Sequence, residues 1–220
     1  MSLLIFTLSP TCANVFTDTL AYGETNEPQN YVSKVTILPH LHMVMALTGV
    51  AQVGHRWAAR LQSRMRLLDI DMCDQHAPGA LRESEAEVKA EDGPLPMTST
   101  AYHFGRSRES GEIVGYVYRS ERDFTSERLQ SGVVAAKPPP LDGNFGPLMS
   151  RDDYIELAMR IRSEQERRPA AERLGIGGDL ILTAVTPEQI IVETAARFPD
   201  FDVQWEQMNA RRQQGTDGVV

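Results

Sequence analysis

Leu3-Leu4-Ile5-Phe6-Thr7-Leu8 holds one hydroxyl among six residues and shows no polar alternation. A strand exposed on one face would alternate, so this run predicts a strand covered on both faces, in a sheet with a packed layer on each side. Ser9-Pro10-Thr11 supplies turn chemistry, and Val15-Phe16-Thr17 resumes a β-rich stretch, which together predict a hairpin. Tyr22 to Gln29, with Gly23, Asn26 and Pro28, reads as a loop. Lys34 to Leu38 and Met43 to Leu47 then form a second strand pair around Pro39-His40, and Gly49 ends it.

Beyond Gly49 the period changes. Val53, Trp57, Leu61, Met65 and Leu68 recur at steps of three and four, the stripe of an amphipathic helix. Residues 69–97 carry a weaker signal, from which only a short exposed helix over Leu81 to Ala90 is drawn. Strands follow at Thr98 to Phe104 and Ile113 to Tyr118, while 124–149 has no readable period and Pro138-Pro139-Pro140 reads as a stiff internal spacer. Ser150 with Asp153 three residues on has the form of a capping box, and Tyr154, Leu157, Ala158 and Ile161 form the stripe of the helix it opens. Asp179 to Thr186 and Gln189 to Glu193 are strands, and a polar helix around Val203 to Arg212 carries Trp205. Helices fall in blocks between antiparallel hairpins. That order predicts sheets sandwiched by helices in a single domain over residues 1–220, and it disfavours a doubly wound parallel fold.

Composition narrows the class. The chain has 220 residues with a net charge of −8, against a general nucleic-acid binder, which needs a basic face. No apolar run approaches the ~20 residues of a membrane helix. There is no basic, apolar, small-residue leader, and the two cysteines, Cys12 and Cys73, suit a reducing compartment, so the expectation is a cytoplasmic protein. His40 with His42, and Cys73 with His76, are at most half of a zinc set, and Cys12 has no adjacent base. Neither a metal nor a cofactor is expected. Gly175-Ile176-Gly177-Gly178 precedes a strand, not a helix, and reads as backbone crowding, not a phosphate loop.

Three positions carry chemistry. Ser2 follows the initiator methionine, whose removal would expose an α-amine with a pKa of about 7.7–8.0 beside the hydroxyl. One residue would then hold a nucleophile and its general base; the other reading is an ordinary small second residue. Asp18 lies in an apolar strand, where a carboxylate needs a partner. Lys34 is one of three lysines (with Lys89 and Lys137) in a chain that otherwise uses arginine. An ammonium can shift its pKa beside a nucleophile as a guanidinium cannot. The two could pair across adjacent strands, either for catalysis or as a plain half-buried ion pair.

Their spacing decides the reading. Ser2-Leu3-Leu4-Ile5, Thr17-Asp18-Thr19, Ser33-Lys34-Val35 and Ala46-Leu47-Thr48-Gly49-Val50-Ala51 follow one another at intervals of sixteen, sixteen and fifteen residues between Ser2, Asp18, Lys34 and Gly49. This resembles the N-terminal-nucleophile hydrolases of the proteasome β-subunit class and the simpler bacterial ATP-dependent peptidase. The resemblance covers Ser2 to about Met65, and the later order fits loosely. It implies a four-layer αββα sandwich of two antiparallel sheets between helices. It also implies peptide or small-amide hydrolysis: Ser2 as nucleophile, Lys34 lowering the barrier, Asp18 orienting Lys34, and the Gly49 or Thr48 N–H holding the oxyanion. The strand edge from Thr19 to Tyr22 would hold an extended peptide, and a homo-oligomer such as a ring would form without nucleic acid or membrane. The alternative is a non-catalytic member of the same fold, serving assembly or binding. Two departures stand out. The family's Ser-Gly-Gly support reads Ile176-Gly177-Gly178 here, with its carboxylate displaced to Glu172, and Ser131-Gly132 is the remaining candidate for its other Ser-Gly support.

Overall fold

The computed structural model describes residues 3–22, 27–63, 67–146, 148–169 and 172–216. β1 (Leu4–Ser9) and β2 (Cys12–Asp18) form the expected hairpin, with Leu4 opposite Thr17 and Ser9 opposite Cys12. β3 (Leu20–Tyr22) pairs with β4 (Pro28–Tyr31), so both ends of the stretch read as a loop are strands. β5 (Val35–Leu38) and β6 (Met43–Thr48) flank a 3-10 turn at Pro39–Leu41. Two helices follow, α1 (Ala51–Ser63) and α2 (Ile70–Asp92), then four strands: β7 (Thr100–Arg106), β8 (Ile113–Arg119), β9 (Ser126–Arg128) and β10 (Val134–Lys137). α3 (Arg151–Glu166), β11 (Asp179–Val185), β12 (Ile190–Arg197) and α4 (Phe201–Thr216) complete the order.

The long sheets are antiparallel, ordered β10-β1-β2-β11-β12 and β5-β6-β7-β8-β9. Three apolar layers bind them. Leu4, Phe6 and Leu8 point from β1 into the space between the sheets and meet Val44, Ala46, Tyr102, Phe104 and Val117. Leu3 and Ile5 point the other way, against Tyr154, Leu157, Ala158 and Ile161 of α3. On the far side, Met43, Met45, Tyr116 and Tyr118 pack under Val53, Trp57 and Leu61 of α1 and the inner face of α2. The result is the four-layer αββα sandwich, and the run Leu3 to Leu8 is unalternating because β1 has a packed layer on both faces.

Two expectations need correction. α1 stops at Ser63, so Leu68 lies outside the helix and is largely exposed; Met65 lies outside the described residues. α2 runs 23 residues, not the ten read from sequence. Its buried face is Ile70, Cys73, Ala77, Leu81, Ser84 and Val88, a stripe at helical steps of which half are small residues. Pro78 and Gly79 stand inside the helix and read locally as breakers. Asp69 caps it, its Oδ1 accepting from Met72 N at 3.0 Å. The 124–149 stretch contains β9 and β10, both short strands at sheet edges.

The box at α3 forms as the sequence requires. Ser150 Oγ accepts Asp153 N at 3.3 Å and Asp153 Oδ2 accepts Ser150 N at 2.7 Å. Among the described residues no helix is long and apolar enough to cross a membrane.

Candidate active site

The start of β1, the end of β2 and the residue before β5 meet at one end of the sandwich. Asp18 is fully buried there. Its Oδ1 accepts Lys34 Nζ at 2.7 Å and the main-chain N–H of Leu3 at 2.8 Å, and its Oδ2 accepts Gly177 N at 3.3 Å. The pair joins the two sheets, β2 from one and the lead into β5 from the other, and is not a cross-strand pair within one sheet. Lys34 also donates to Leu20 O at 2.7 Å, and its side chain is 8% exposed.

Burial pushes the Asp18 carboxyl up and the Lys34 ammonium down, while each opposes the shift in the other. Three donors converge on Asp18, and the acceptor-only carboxylate meets all of them without a competing O–H, which fits the ion pair. Lys34 is thus an ammonium kept short of water and drawn below the usual lysine range.

Ser2, the expected nucleophile, lies outside the described residues. The Leu3 N–H that follows it is fixed by Asp18, so the entry to β1 is tied directly to the acid–ammonium pair.

Gly49 closes β6 with φ +103, and a Cβ there would come within 2.0 Å of Thr98 O. Only glycine takes that turn and that close approach together. The next N–H, of Val50, is held by Ser99 Oγ at 3.3 Å. Thr48 is buried and pairs with Thr100 of β7.

Gly177-Gly178 does more than relieve crowding. Gly177 N donates to Asp18, and Gly177 O accepts Thr19 N at 3.3 Å and Leu20 N at 3.1 Å. A Cβ on Gly178 would lie 2.2 Å from Thr19 Oγ1, which in turn accepts Asp179 N at 2.8 Å. The double glycine therefore forms one wall of the site. Ile176 beside it is buried in apolar packing, and Glu172 is exposed.

The edge from Thr19 to Tyr22 is partly used by the chain itself. Thr19 N and Leu20 N go to Gly177 O, Thr19 O accepts Val32 N, Leu20 O accepts Lys34, and Ala21 faces Asn30 of β4. Ser131-Gly132 lies at the opposite end of β1, where Gly132 N donates to Leu8 O at 2.7 Å, so it cannot support the start of that strand. The β10 residue paired with Leu4 is Lys137.

The remaining candidates lie elsewhere. His42 sits in the β5–β6 turn with Nε2 2.7 Å from Thr186 O; a carbonyl only accepts, so Nε2 carries the proton. His40 lies in the same turn. Cys73 and His76 share α2, but Cys73 is buried and His76 exposed. Among the described residues no group of three or more His, Cys, Asp or Glu side chains could hold a metal ion. Both cysteines are free thiols, and burial pushes each up in pKa, away from nucleophilic use.

One polar residue escaped the sequence reading. His103 of β7 is fully buried; its Nε2 accepts Trp57 Nε1–H at 3.1 Å, and its Nδ1 lies 3.8 Å from Cys73 Sγ. Indole only donates, so the imidazole is the neutral Nδ1–H tautomer, and burial lowers its pKa to about 3. The signal was a lone histidine inside an otherwise apolar strand, Tyr102-His103-Phe104.

No family profile matches this sequence, and no curated protein matches it. Among solved structures, the chain is similar to Anbu from Hyphomicrobium sp. strain MC1. The TM-score is 0.61 at 10% identity, covering 99% of this chain and 97% of that one. At that identity the likeness is one of fold: this chain shares the αββα sandwich architecture of that protein over almost its whole length.

Proposed function

We propose that this chain is a serine-type N-terminal-nucleophile hydrolase that cleaves amide bonds in peptides. The observation that carries the reading is the buried Asp18 carboxylate, which holds Lys34 Nζ and the main chain at the entry to β1 on one oxygen. A fully buried acid and an ammonium stripped of water are costly for a fold to keep without a use at that place.

The chemistry follows from the groups. With the α-amine of Ser2 free, Ser2 Oγ attacks the scissile carbonyl carbon while the amine accepts the hydroxyl proton. The charge that develops on the carbonyl oxygen is met by the Gly49 or Thr48 N–H, and the Lys34 ammonium lowers the energy of the anionic state. Collapse breaks the C–N bond, the ammonium of Ser2 returns its proton to the leaving nitrogen, and an acyl ester remains on Oγ. Water then adds to that ester as the amine takes its proton; the C–Oγ bond breaks, the ammonium returns the proton to Oγ, and the acid product leaves. Asp18 fixes Lys34 and is a positioning residue. Assembly into a homo-oligomer such as a ring belongs to the same proposal.

The test is the intact mass of the natively expressed protein before and after incubation with a β-lactone. Loss of Met1 and a stoichiometric adduct, absent in Ser2→Ala, are the expected results. A retained residue ahead of Ser2, or no adduct on the mature chain, rejects the hydrolase reading. A second reading, a non-catalytic assembly or binding member of this fold, is favoured by one feature: buried Ile176 stands where the resemblance implies a serine beside the amine. A small-amide substrate would show as turnover of simple amides without peptide cleavage.

A further inference from the structure

The three lysines fall into two kinds of place. Lys89 is an exposed partner of Glu85 one turn earlier on α2, at 2.9 Å. Lys34 and Lys137 both stand at the end of the sandwich where β1 begins. Lys137 ends β10 directly opposite Leu4, on the flank of β1 away from β2. Its side chain crosses the gap between the sheets, and Nζ donates to Thr100 Oγ1 at 2.8 Å. Thr100 is buried and pairs with Thr48, the residue before Gly49. Lys137 therefore reaches from the edge strand beside the start of β1 to Thr100 of β7, the neighbour of the strand end that carries the oxyanion candidates.

The two ammonium groups differ in charge balance. Lys34 has its own carboxylate in contact. Lys137 makes its bond to a neutral hydroxyl, and no carboxylate lies at ion-pair distance from it among the described residues. Half-burial draws its pKa down, Glu121 opposes this through the field, and Arg119 adds a second positive charge nearby. A half-desolvated ammonium with donors to spare gains most from an anionic acceptor, because a charge-assisted bond is about twice as strong as a neutral one. Nothing in the family resemblance places a cation here; the register sets it at the position where Ser131-Gly132 had been a candidate.

We propose that Lys137 is the anion-binding residue of this site, and that the preferred substrate is a peptide with a side-chain carboxylate beside the cleaved bond. This rests on the hydrolase reading for turnover, but not for binding.

The experiment uses the full chain and two probes, acetyl-Ala-Ala-Glu and acetyl-Ala-Ala-Gln coumarinyl amides. The mature protein is expected to favour the Glu probe by about tenfold in kcat/KM. Lys137→Met should bring the ratio to one and Lys137→Glu should invert it. Lys137→Arg, which keeps the charge if the methionine variant fails to fold, should retain a preference. Equal turnover of both probes, or a ratio untouched in Lys137→Met, overturns the proposal. In parallel, fluorescence anisotropy follows dye-labelled, amide-capped forms of both peptides on Ser2→Ala. A tenfold tighter grip on the Glu peptide, lost when Lys137→Met is added, sustains the anion site even if no probe is hydrolysed and the hydrolase reading falls. Equal binding, or none, overturns it whatever the turnover.

Discussion

At the scale of single residues, buried charge sets the consequences. Asp18→Ala leaves Lys34 buried with only the Leu20 carbonyl, and Lys34→Met leaves the carboxylate with two main-chain donors. Each single change is expected to cost about 3–5 kcal/mol in urea unfolding. The double variant, which removes both charges, should cost clearly less than the sum while remaining inactive. Additive losses would show that the two groups do not act as a pair. His103 gives a pH effect whose sign is fixed. Its folded pKa of about 3 lies below the ordinary value of about 6.5. Its contribution is therefore complete above pH 6.5 and is lost as pH falls toward 3. Between pH 7 and 4.5 the protein should lose about 2–3 kcal/mol more stability than His103→Gln, by the linkage of one proton. Parallel pH profiles would mean that His103 titrates normally.

Elements are limited by their ends. Gly49 and Gly93 both have positive φ, +103 and +84, at the end of β6 and of α2. A Cβ on Gly93 meets nothing within 4 Å, whereas on Gly49 it would strike Thr98 O. Gly93, at φ +84 and ψ −162, lies in a region essentially reserved for glycine, so Gly93→Ala should cost only that backbone strain, about 1–3 kcal/mol, and Gly49→Ala distinctly more, read as the larger fall in Tm. Equal falls would show that the β6–α1 turn can relax away from Thr98. The same contrast explains what was legible. Glycine at a strand end marks Gly49 from sequence, but its neighbour Thr98 is set by how the 94–99 segment returns to the sheet.

For the whole molecule, cohesion depends on the layer between the sheets. Phe6 lies 5.3 Å from Tyr102 and 5.0 Å from Phe104, ring centre to ring centre, and joins β1 to β7 of the other sheet. Phe6→Ala should cost about 3–5 kcal/mol in a single cooperative transition. Two separated transitions by near-ultraviolet and far-ultraviolet dichroism would instead show that the sheets unfold independently.

The sequence by itself determined the order of the strand and helix blocks, the β1–β2 hairpin, the α3 capping box and the two-sided burial of Leu3 to Leu8. Each of these rests on side-chain period or on bonds spanning a few residues. Asp18 and Lys34 were also legible as groups needing partners, because a carboxylate in an apolar strand and a rare lysine are local anomalies. Only the tertiary structure decided that they meet between two sheets, that Gly177 completes the Asp18 shell from 159 residues away, and that Lys137 rather than Ser131 stands beside Leu4. Strand order and register settle those contacts. They are set by the summed packing of three apolar layers, a sum that no short window of sequence contains. The length of α2 was hidden for the same reason: Cys73, Ala77 and Ser84 are too small to announce a buried face until the sheet beneath covers them.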